Sequence, residues 1–377
     1  MRKNLFMSSI LICLVFIGAG LTMGQDKVEV KMVAGIPHVL NPANPLKGII
    51  SIEVEKILEI DPYKIADVGM RMIFFARNGD GSVILYDPNS VEARRFNSKG
   101  EHLGLLFRKG QGPGEFWQGP GVNIFFMNNQ IWAFNLVKLA KYDKEGRFLE
   151  DKKLRSEPVI LVNNDLCFIR DRRMDTEKIE LTSLDPGKEN SSPAIVFFQA
   201  EKVGMHRSPD GKRGFANIWI TPSVNFTYDQ ASQTFYGALN TEYKIHQKNL
   251  MGETVAVIEK PHKNVKLSRK DKEQMLHIRD ASDNWKYDAC PDYLVAISGL
   301  AVLPSGYLAV ERFTSVQERE IDVFDPKGQY VYVLKLPEGI RLDKTQFFRS
   351  GIAAILERNE SYIYADFKVK NLPEIFH

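Results

Sequence analysis

The stretch that decides the fold is Lys109 to Pro120, which reads K-G-Q-G-P-G-E-F-W-Q-G-P. Four of its twelve residues are glycines, which adopt positive φ angles without a Cβ clash, and two are prolines, which fix φ. Such a composition is typical of a tight, well-defined loop. Before it, Glu101 to Arg108 alternates in the manner of a half-exposed strand, and after it Val122 to Met127 is almost wholly apolar, like a buried strand. The loop is therefore predicted to lead from an outer strand of one unit into an inner strand of the next.

The pattern on either side of this loop recurs along the chain. Arg95 to Leu103 and Lys141 to Leu149 both contain an aromatic residue, a polar turn closed by glycine and a returning apolar residue, in that order. Val323 to Val331 repeats the pattern, Leu184 to Gly187 is a shorter copy, and Tyr243 to Glu253 is a more distant one. Self-similarity of this kind indicates a repeat architecture.

A second kind of hairpin, with turns rich in Asn, Gly and Asp, is predicted six times. Its paired segments are 73–76 with 83–86, 124–127 with 131–134, 159–162 with 167–169, 226–228 with 235–239, 300–303 with 308–310, and 353–356 with 362–364. Two consecutive hairpins make a four-stranded unit, which must stack on its neighbours to bury both faces. We therefore predict an all-β fold, a six-bladed β-propeller of four-stranded antiparallel blades. A strand from Ile50 to Val54 or from Lys56 to Ile60 is expected to complete the last blade.

Residues 1–24 are predicted to be a signal peptide. Arg2 and Lys3 form a basic start, Leu5 to Leu21 is an apolar run, and cleavage before Gln25 is expected. An uncleaved membrane anchor is the alternative, because the run is near the lower length limit for a membrane span. Residues 25–377 are predicted to form a single propeller domain that is exported to the periplasm or the extracellular space, with no stable membrane span after cleavage.

The charge balance and the cysteine content indicate which partners and cross-links are expected. Lys and Arg number 50 and Asp and Glu 47, so the formal net charge is only +3 and a nucleic-acid partner is not expected. Cys167 and Cys290 lie outside the signal peptide and could form a disulfide in an oxidising compartment. Because Cys167 lies between apolar neighbours like a small core residue, free thiols are the preferred interpretation. A monomer is expected.

The segment 260–292 interrupts the regular spacing of the hairpins. Within it, Ser268 followed by Asp271 is a helix start signal and precedes a short apolar stripe, so one short helix is predicted at about 268–280. We interpret the segment as a solvated excursion on the rim of the ring. A lid over the central pocket is the alternative.

A family resemblance rests on the same loop. Gly110 to Phe116, G-Q-G-P-G-E-F, lies between an F-N-S-K-G turn and a V-N-I-F-F strand. This arrangement resembles the six-bladed β-propeller proteins of bacterial envelopes that are similar to NHL-repeat propellers. The similarity is specific in the first two blades and around Asp322 to Leu334, whereas the third and fourth blades lack a Gly-rich join between them. The resemblance implies a fold and an envelope setting rather than a reaction.

The candidate binding residues follow from propeller geometry. Loops that enter inner strands lie on the same face as loops that leave second strands, and by analogy that face is the usual binding surface. The predicted ligand-binding residues on it are Arg108, Gln111, Glu115, Trp117, Asn135, Lys138, Arg172 and Arg312. Arginine can donate two hydrogen bonds to one carboxylate of a ligand, and the ring of Trp117 can stack on a ligand. The alternative is that these residues are ordinary solvent-exposed charges on the rim of the ring. The Gly-rich loop itself is interpreted as a structural clamp between the first two complete blades.

No local catalytic signature is found in the sequence. There is no Gly-x-Ser-x-Gly motif, no His-x-x-x-His pair, and the Gly-rich loop is followed by a strand rather than the helix of a dinucleotide site. No metal site and no cofactor are predicted. We expect a non-enzymatic binding module for a glycan, a peptide or a protein partner on the polar face. The alternative is a metal-dependent lyase or hydrolase with its site in the central channel, for which the candidate ligands are His102, His206, His246 and His277.

Overall fold

The computed structural model describes residues 27–64, 74–117, 121–135, 137–154, 158–163, 166–172, 176–183, 194–201, 206–208, 210, 214–215, 220–276, 284–358, 361–371 and 373–377. These residues form a six-bladed β-propeller, as predicted. The predicted signal peptide and the turn Leu184 to Gly187 lie outside them.

The N-terminal part of the chain forms four strands that attach to blades formed much later in the sequence. They are β1 (Glu29–Val33), β2 (Ile36–Leu40), β3 (Ile49–Ser51) and β4 (Val54–Ile60), followed by a 3-10 turn at Pro62–Lys64.

The first three blades follow directly. Blade 1 contains β5 (Phe74–Arg77), β6 (Val83–Asp87), β7 (Glu92–Phe96) and β8 (His102–Phe107). Blade 2 contains β9 (Asn123–Met127), β10 (Gln130–Phe134), β11 (Lys138–Asp143) and β12 (Phe148–Lys153). Blade 3 contains β13 (Pro158–Leu161), β14 (Leu166–Arg172), β15 (Thr176–Ser183) and β16 (Ile195–Glu201). A small hairpin, β17 (His206–Arg207) with β18 (Gly214–Phe215), separates blades 3 and 4.

The last three blades all receive N-terminal strands. Blade 4 contains β19 (Val224–Asp229), β20 (Thr234–Leu239), β21 (Lys244–Lys248) and β22 (Thr254–Glu259), with β2 and then β1 added outside β22. Blade 5 contains β23 (Gly299–Val302), β24 (Leu308–Phe313), β25 (Arg319–Phe324) and β26 (Tyr330–Lys335), with β3 added parallel to β26. Blade 6 contains β27 (Thr345–Phe348), β28 (Gly351–Arg358) and β29 (Ser361–Val369), and β4 is its outer strand.

The core lies between the blades because each sheet must bury both of its faces. The second strands are the most buried, and β6 has no partly exposed residue, whereas the outer strand β12 is almost wholly exposed. Each junction between neighbouring blades holds one apolar cluster of described residues. The ring therefore depends on six separate interfaces rather than on one central core.

The predicted hairpins are confirmed at five positions and shifted at the sixth. The segments around 353–356 and 362–364 are the second and third strands of blade 6, β28 and β29, and not its first and second. The inner strand β27 precedes them and is joined to β28 by a turn of only two residues, Arg349 and Ser350. The strand Lys56–Ile60 completes the last blade as predicted, whereas Ile50 lies in β3 and pairs with blade 5.

The insertion between blades 4 and 5 contains two helices among its described residues, not one. The predicted helix is α1 (Arg269–Leu276), and its Ser268 hydroxyl accepts a hydrogen bond from the Asp271 amide at 3.2 Å, as a capping box requires. The second is α2 (Trp285–Ala289). The predicted continuation of α1 to residue 280 lies outside the described residues. A small apolar cluster that includes Leu276, Cys290 and Phe313 joins the insertion to blade 5.

Three further features complete the fold. Two 3-10 turns occur at Leu342–Lys344 and Glu374–Phe376. Cys167 and Cys290 are both buried free thiols. Within the ranges given above, no helix combines the length and the apolar character that a bilayer crossing requires.

Candidate functional site

The face that carries the loops into inner strands and the loops between second and third strands is called here the joining face. The Gly-rich loop between blades 1 and 2 lies on it and is closed by its own hydrogen bonds. The Gly110 amide donates to the Phe116 carbonyl at 3.1 Å, and the Glu115 carboxylate accepts from Arg108 Nε and the Gly112 amide, both at 3.0 Å. The Gly112 amide, together with Arg108, holds the pKa of Glu115 below its usual value.

Blade 2 holds this loop from the other side. Lys138 Nζ donates to the carbonyls of Gly112 at 2.9 Å and Glu115 at 3.2 Å, and it lies 2.6 Å from a carboxylate oxygen of Asp151. The Tyr142 hydroxyl donates to the Gly114 carbonyl at 2.6 Å. The ammonium group of Lys138 can donate three hydrogen bonds, and the loop and Asp151 accept all three.

The loop also carries an aromatic contact between the two blades. Phe116 is 1% exposed, its ring centroid lies 4.7 Å from that of Phe107, and it belongs to the apolar cluster at the junction of blades 1 and 2. Gly114 has a φ of +69°, and a Cβ at that position would lie 2.7 Å from the Phe148 ring. These contacts agree with the interpretation of the loop as a structural clamp.

The remaining predicted residues have different surroundings. Gln111 is exposed and Trp117 is 55% exposed. Asn135 is buried, and its side-chain oxygen accepts from the amides of Val137 and Lys138 at 3.0 and 2.9 Å, so it shapes a turn. The backbone of Arg172 pairs with Glu177 at the end of β14, but its side chain lies outside the described part. Ligand binding by these residues and by those of the loop stays a prediction.

Arg312 belongs to a cluster of charged groups at the junction of blades 4 and 5. Its centre is Asp322, which is 0% exposed and accepts hydrogen bonds from side chains on four different strands and loops. The donors are Lys260 Nζ at 2.5 Å, Arg312 Nε at 2.9 Å, the Tyr243 hydroxyl at 2.5 Å and the Tyr330 hydroxyl at 2.8 Å. These five residues are called here the junction cluster.

The two cations of the junction cluster pair with Asp322 inside it and with Glu320 beside it. Lys260 Nζ lies 4.1 Å from the centroid of the Tyr330 ring, where the face of the ring attracts a cation. Burial lowers the pKa of Lys260, and the Asp322 carboxylate opposes that shift. Arg312 reaches a second carboxylate, Glu320, at 2.5 Å. Burial and the Asp322 charge raise the pKa of Tyr243 well above its usual value, so this hydroxyl stays protonated and donates.

A recess of about 260 Å³ opens on the joining face directly above this cluster. Its lining residues, called here the basic recess, are Ala43, Lys260, Pro261, His262, Lys263, Arg312, Phe313 and Thr314. His262 Nε2 is buried and has no hydrogen-bond partner among the described residues. Burial, together with the charges of Arg312 and Lys260, lowers the pKa of His262 to about 4. The ring is therefore neutral at pH 7, and Lys263 is an exposed cation beside it.

A larger cleft of about 580 Å³ lies on the other side of blade 5, and Thr314 lines both spaces. Its floor is apolar and includes the buried Ile321 and Ile340, and its rim includes Glu318, Lys335 and Arg341. Glu311, which is 4% exposed, also lines it and accepts from the Ser298 hydroxyl at 2.6 Å and from Arg319 at 3.0 Å. The loop of blade 5 from Thr314 to Glu318 therefore separates a basic recess from a cleft of mixed charge.

The central channel has a different character. A space of about 360 Å³ between the inner strands of blades 6, 1 and 2 is lined mainly by aromatic and aliphatic side chains, with Asn123 and Gln346 among the polar ones. His102 lies on the outer strand of blade 1 and His246 on the third strand of blade 4. The side chains of His206 and His277 lie outside the described residues. No group of three His, Cys, Asp or Glu side chains that could hold a metal ion is found in the described part of the chain, and the enzyme alternative stays a prediction.

Sequence reasoning found Arg312 but missed its neighbours in the basic recess. The signal was present, because the run Lys260-Pro261-His262-Lys263 comes directly after the outer strand of blade 4. Residues that follow an outer strand belong to the loop that enters the next inner strand, and so to the joining face. The predicted insertion 260–292 begins with this run, so its residues are not among the predicted binding residues.

Comparisons with known proteins concern the fold. No protein-family model and no curated protein sequence matches the chain. Among solved structures, it is similar to a member of the DUF4221 family from Bacteroides vulgatus, with a TM-score of 0.50 at 10% identity over 87% of this chain and 99% of that one. It is also similar to a protein of Bacteroides fragilis described as exported, with a TM-score of 0.46 at 14% identity over 85% of this chain and 95% of that one. The propeller part of the predicted resemblance is confirmed.

Proposed function

We propose that the chain is an exported, non-enzymatic binding module that recognises a carboxylate-bearing glycan or peptide on its joining face. The observation that carries the proposal is the basic recess, where Lys260, Lys263 and Arg312 converge around a neutral histidine. A concave site with a few convergent polar groups is the usual form of a ligand pocket.

The charge of the recess favours an anion. Lys260 and Arg312 face two carboxylates, Asp322 and Glu320, whereas no ion pair of Lys263 is found among the described residues. Three cations against two carboxylates leave a positive excess at the mouth of the recess. We assign to Lys263 the attraction of the ligand carboxylate. The part of the Arg312 guanidinium that does not contact Asp322 or Glu320 supplies further donors.

The volumes suggest how a larger ligand is placed. A recess of about 260 Å³ has room for one charged sugar ring or one acidic side chain, and the cleft of about 580 Å³ lies across Thr314. We propose that the rest of the ligand crosses the Thr314–Glu318 loop and enters that cleft. Its apolar floor and charged rim are compatible with either a glycan or a peptide.

The test compares an oligosaccharide of galacturonic acid with the neutral galactose oligosaccharide of the same length, by calorimetric titration, with an acidic peptide as a third probe. We expect the galacturonate probe or the peptide to bind and the neutral sugar not to bind. Lys263→Glu should weaken that binding about tenfold or more, because it reverses the uncommitted charge. The matched control is Lys99→Glu, which makes the same charge change in an exposed turn on the opposite face.

Two results would contradict the proposal. One is equal binding of the charged and the neutral sugar. The other is an equal loss of affinity in the Lys263→Glu and Lys99→Glu variants, since that would attribute binding to overall charge rather than to the recess.

A further inference from the structure

Strand β1 is an unprotected sheet edge. It is the outermost strand of the sheet β1-β2-β22-β21-β20-β19, and all five of its residues are exposed. Val30 is 59% exposed and Met32 65%. An edge strand offers a row of free backbone N–H and C=O groups, and proteins normally shield such a strand with charge, proline or a bulge. Here the edge carries the large apolar side chains of Val30 and Met32 beside the ion pair of Glu29 and Lys31.

The hairpin that holds β1 determines which backbone groups are free. Val33 pairs with Ile36 across the two-residue turn Ala34-Gly35, whose φ angles are 49° and 83°. In a two-residue hairpin the flanking pair exchanges both of its hydrogen bonds, and the direction of these groups then alternates along the strand. Val33, Lys31 and Glu29 therefore bond to β2. Val28, Val30 and Met32 direct their N–H and C=O groups away from the protein.

The sequence of this edge is complementary to itself. Val28-Glu29-Val30-Lys31-Met32 has the same order of apolar and charged positions in both directions, with opposite charges on the two sides of Val30. If two copies pair antiparallel about Val30, each Glu29 lies opposite Lys31 of the other copy. Each Val28 then lies opposite Met32 of the other copy, and the two Val30 residues face each other.

The free backbone groups match this register. The residues that face each other in it, Val28 with Met32 and Val30 with Val30, are those whose N–H and C=O groups are directed outward. Each such facing pair can exchange two hydrogen bonds across the two-fold axis. The ladder between β1 and β2 thus permits this register. The charges select it, because a shift by two residues in either direction would place Glu29 opposite Glu29 or Lys31 opposite Lys31.

We propose that β1 pairs antiparallel with β1 of a second copy of this chain, so that the two fourth blades join into one continuous sheet. This proposal departs from the expectation of a monomer, and the exposed edge is the observation that supports it. The interface is isologous, as two-fold dimers require. Its area is limited to two hairpins, so the dimer is weak and reversible. The proposal does not depend on the basic recess.

The test is sedimentation velocity on the protein as processed by an expressing bacterium, at concentrations from about 1 µM to about 1 mM. The wild-type protein should pass from monomer to dimer within this range. Glu29→Lys and Lys31→Glu should each weaken self-association about tenfold, because each places like charges opposite one another twice. An equimolar mixture of the two variants should recover the wild-type affinity, since every facing pair in the heterodimer then has opposite charges.

A backbone variant distinguishes edge pairing from other modes of association. Val30→Pro removes an outward N–H that β2 does not use, so the melting temperature should be unchanged while the dimer is lost. A wild-type protein that stays monomeric throughout the range would overturn the proposal. So would a dimer that persists in Val30→Pro, or a mixture of the two charge variants that associates no better than either alone.

Discussion

Replacement of Asp322 by Asn tests whether the junction cluster holds blades 4 and 5 together. Asp322 is completely buried, and its carboxylate accepts hydrogen bonds from Lys260, Arg312, Tyr243 and Tyr330. Asparagine keeps the shape of the side chain but removes the negative charge. It also places an N–H₂ group where one acceptor oxygen was. Two cations would then share a buried site without their common counter-charge.

The magnitude follows from the burial of those cations. Removal of one partner from a buried ion pair costs about 3–5 kcal/mol, because the remaining charge is left uncompensated. Lys260 has 3% of its side chain exposed, whereas Arg312 has 17% exposed and keeps Glu320. We therefore expect the lower part of this range, about 3 kcal/mol, for Asp322→Asn. Lys260→Met should cost less, about 1–2 kcal/mol, because the carboxylate keeps Arg312 and two hydroxyl donors.

The two substitutions should not be additive. Once Lys260 is replaced by Met, the loss of the Asp322 charge leaves only Arg312, which still has Glu320. The double variant should therefore cost at least about 1 kcal/mol less than the sum of the single variants. The measurement is equilibrium unfolding in urea at pH 7, followed by tryptophan fluorescence.

The control is Asp325→Asn in the exposed turn between β25 and β26, where the side-chain oxygen accepts from the amides of Lys327 and Gln329. Asparagine can keep both of these bonds, so a change within about 0.5 kcal/mol is expected. A cost of less than about 1 kcal/mol for Asp322→Asn, or additive costs in the double variant, would refute the reasoning.

Two further predictions concern the clamp and the recess. Gly114→Ala should lower stability by about 1–2 kcal/mol, because its φ of +69° is strained for alanine and the new Cβ meets the Phe148 ring. The measurement is the melting temperature, compared with that of Gly79→Ala, where no atom lies within 4 Å of the added Cβ. Equal changes in the two variants would contradict the prediction. Folding lowers the pKa of His262 from 6.5 to about 4. As the pH falls from 6.5 to 4, the unfolded chain therefore binds a proton at His262 that the folded protein does not bind, and the wild-type protein loses stability. In His262→Gln the drop in unfolding free energy from pH 7 to pH 4.5 should be smaller by about 1–3 kcal/mol, a range that allows for partial access of the ring to water. Urea midpoints measured at both pH values test this. An equal shift of the midpoint in the wild type and the variant would contradict it.

The repeating part of the fold was accessible from the sequence because its signals are local. The polar turn closed by Gly100 and the one closed by Gly146 each fix a hairpin within about ten residues. The sixth blade was assigned one strand out of register because the turn of Arg349 and Ser350 lacks the Asn or Gly that marks the others. The second helix of the insertion, five residues at Trp285–Ala289, is too short to show a helical period.

The candidate site was less accessible because it depends on contacts between distant residues. Arg312 was identified by its place after a second strand, but the partner that neutralises it, Asp322, lies inside the third strand of the same blade. Lys138 is predicted from the sequence to bind a ligand, whereas in the folded protein its ammonium group donates to the carbonyls of Gly112 and Glu115. A position along a strand predicts which face a side chain is on. It does not predict which partners are already there.

The way in which β2, β3 and β4 attach to blades 4, 5 and 6 has a consequence for the order of folding. During synthesis these strands are made first, yet β4 pairs with β29, whose partner residues are about 300 positions later in the chain. Blades 1 to 3 can form from neighbouring segments as they emerge, but the ring cannot close until the last blade exists. Strands β3 and β4 must therefore remain unpaired for most of synthesis, whereas β2 can pair early only with β1. The N-terminal segment is consequently the part of the chain that most needs a chaperone during synthesis.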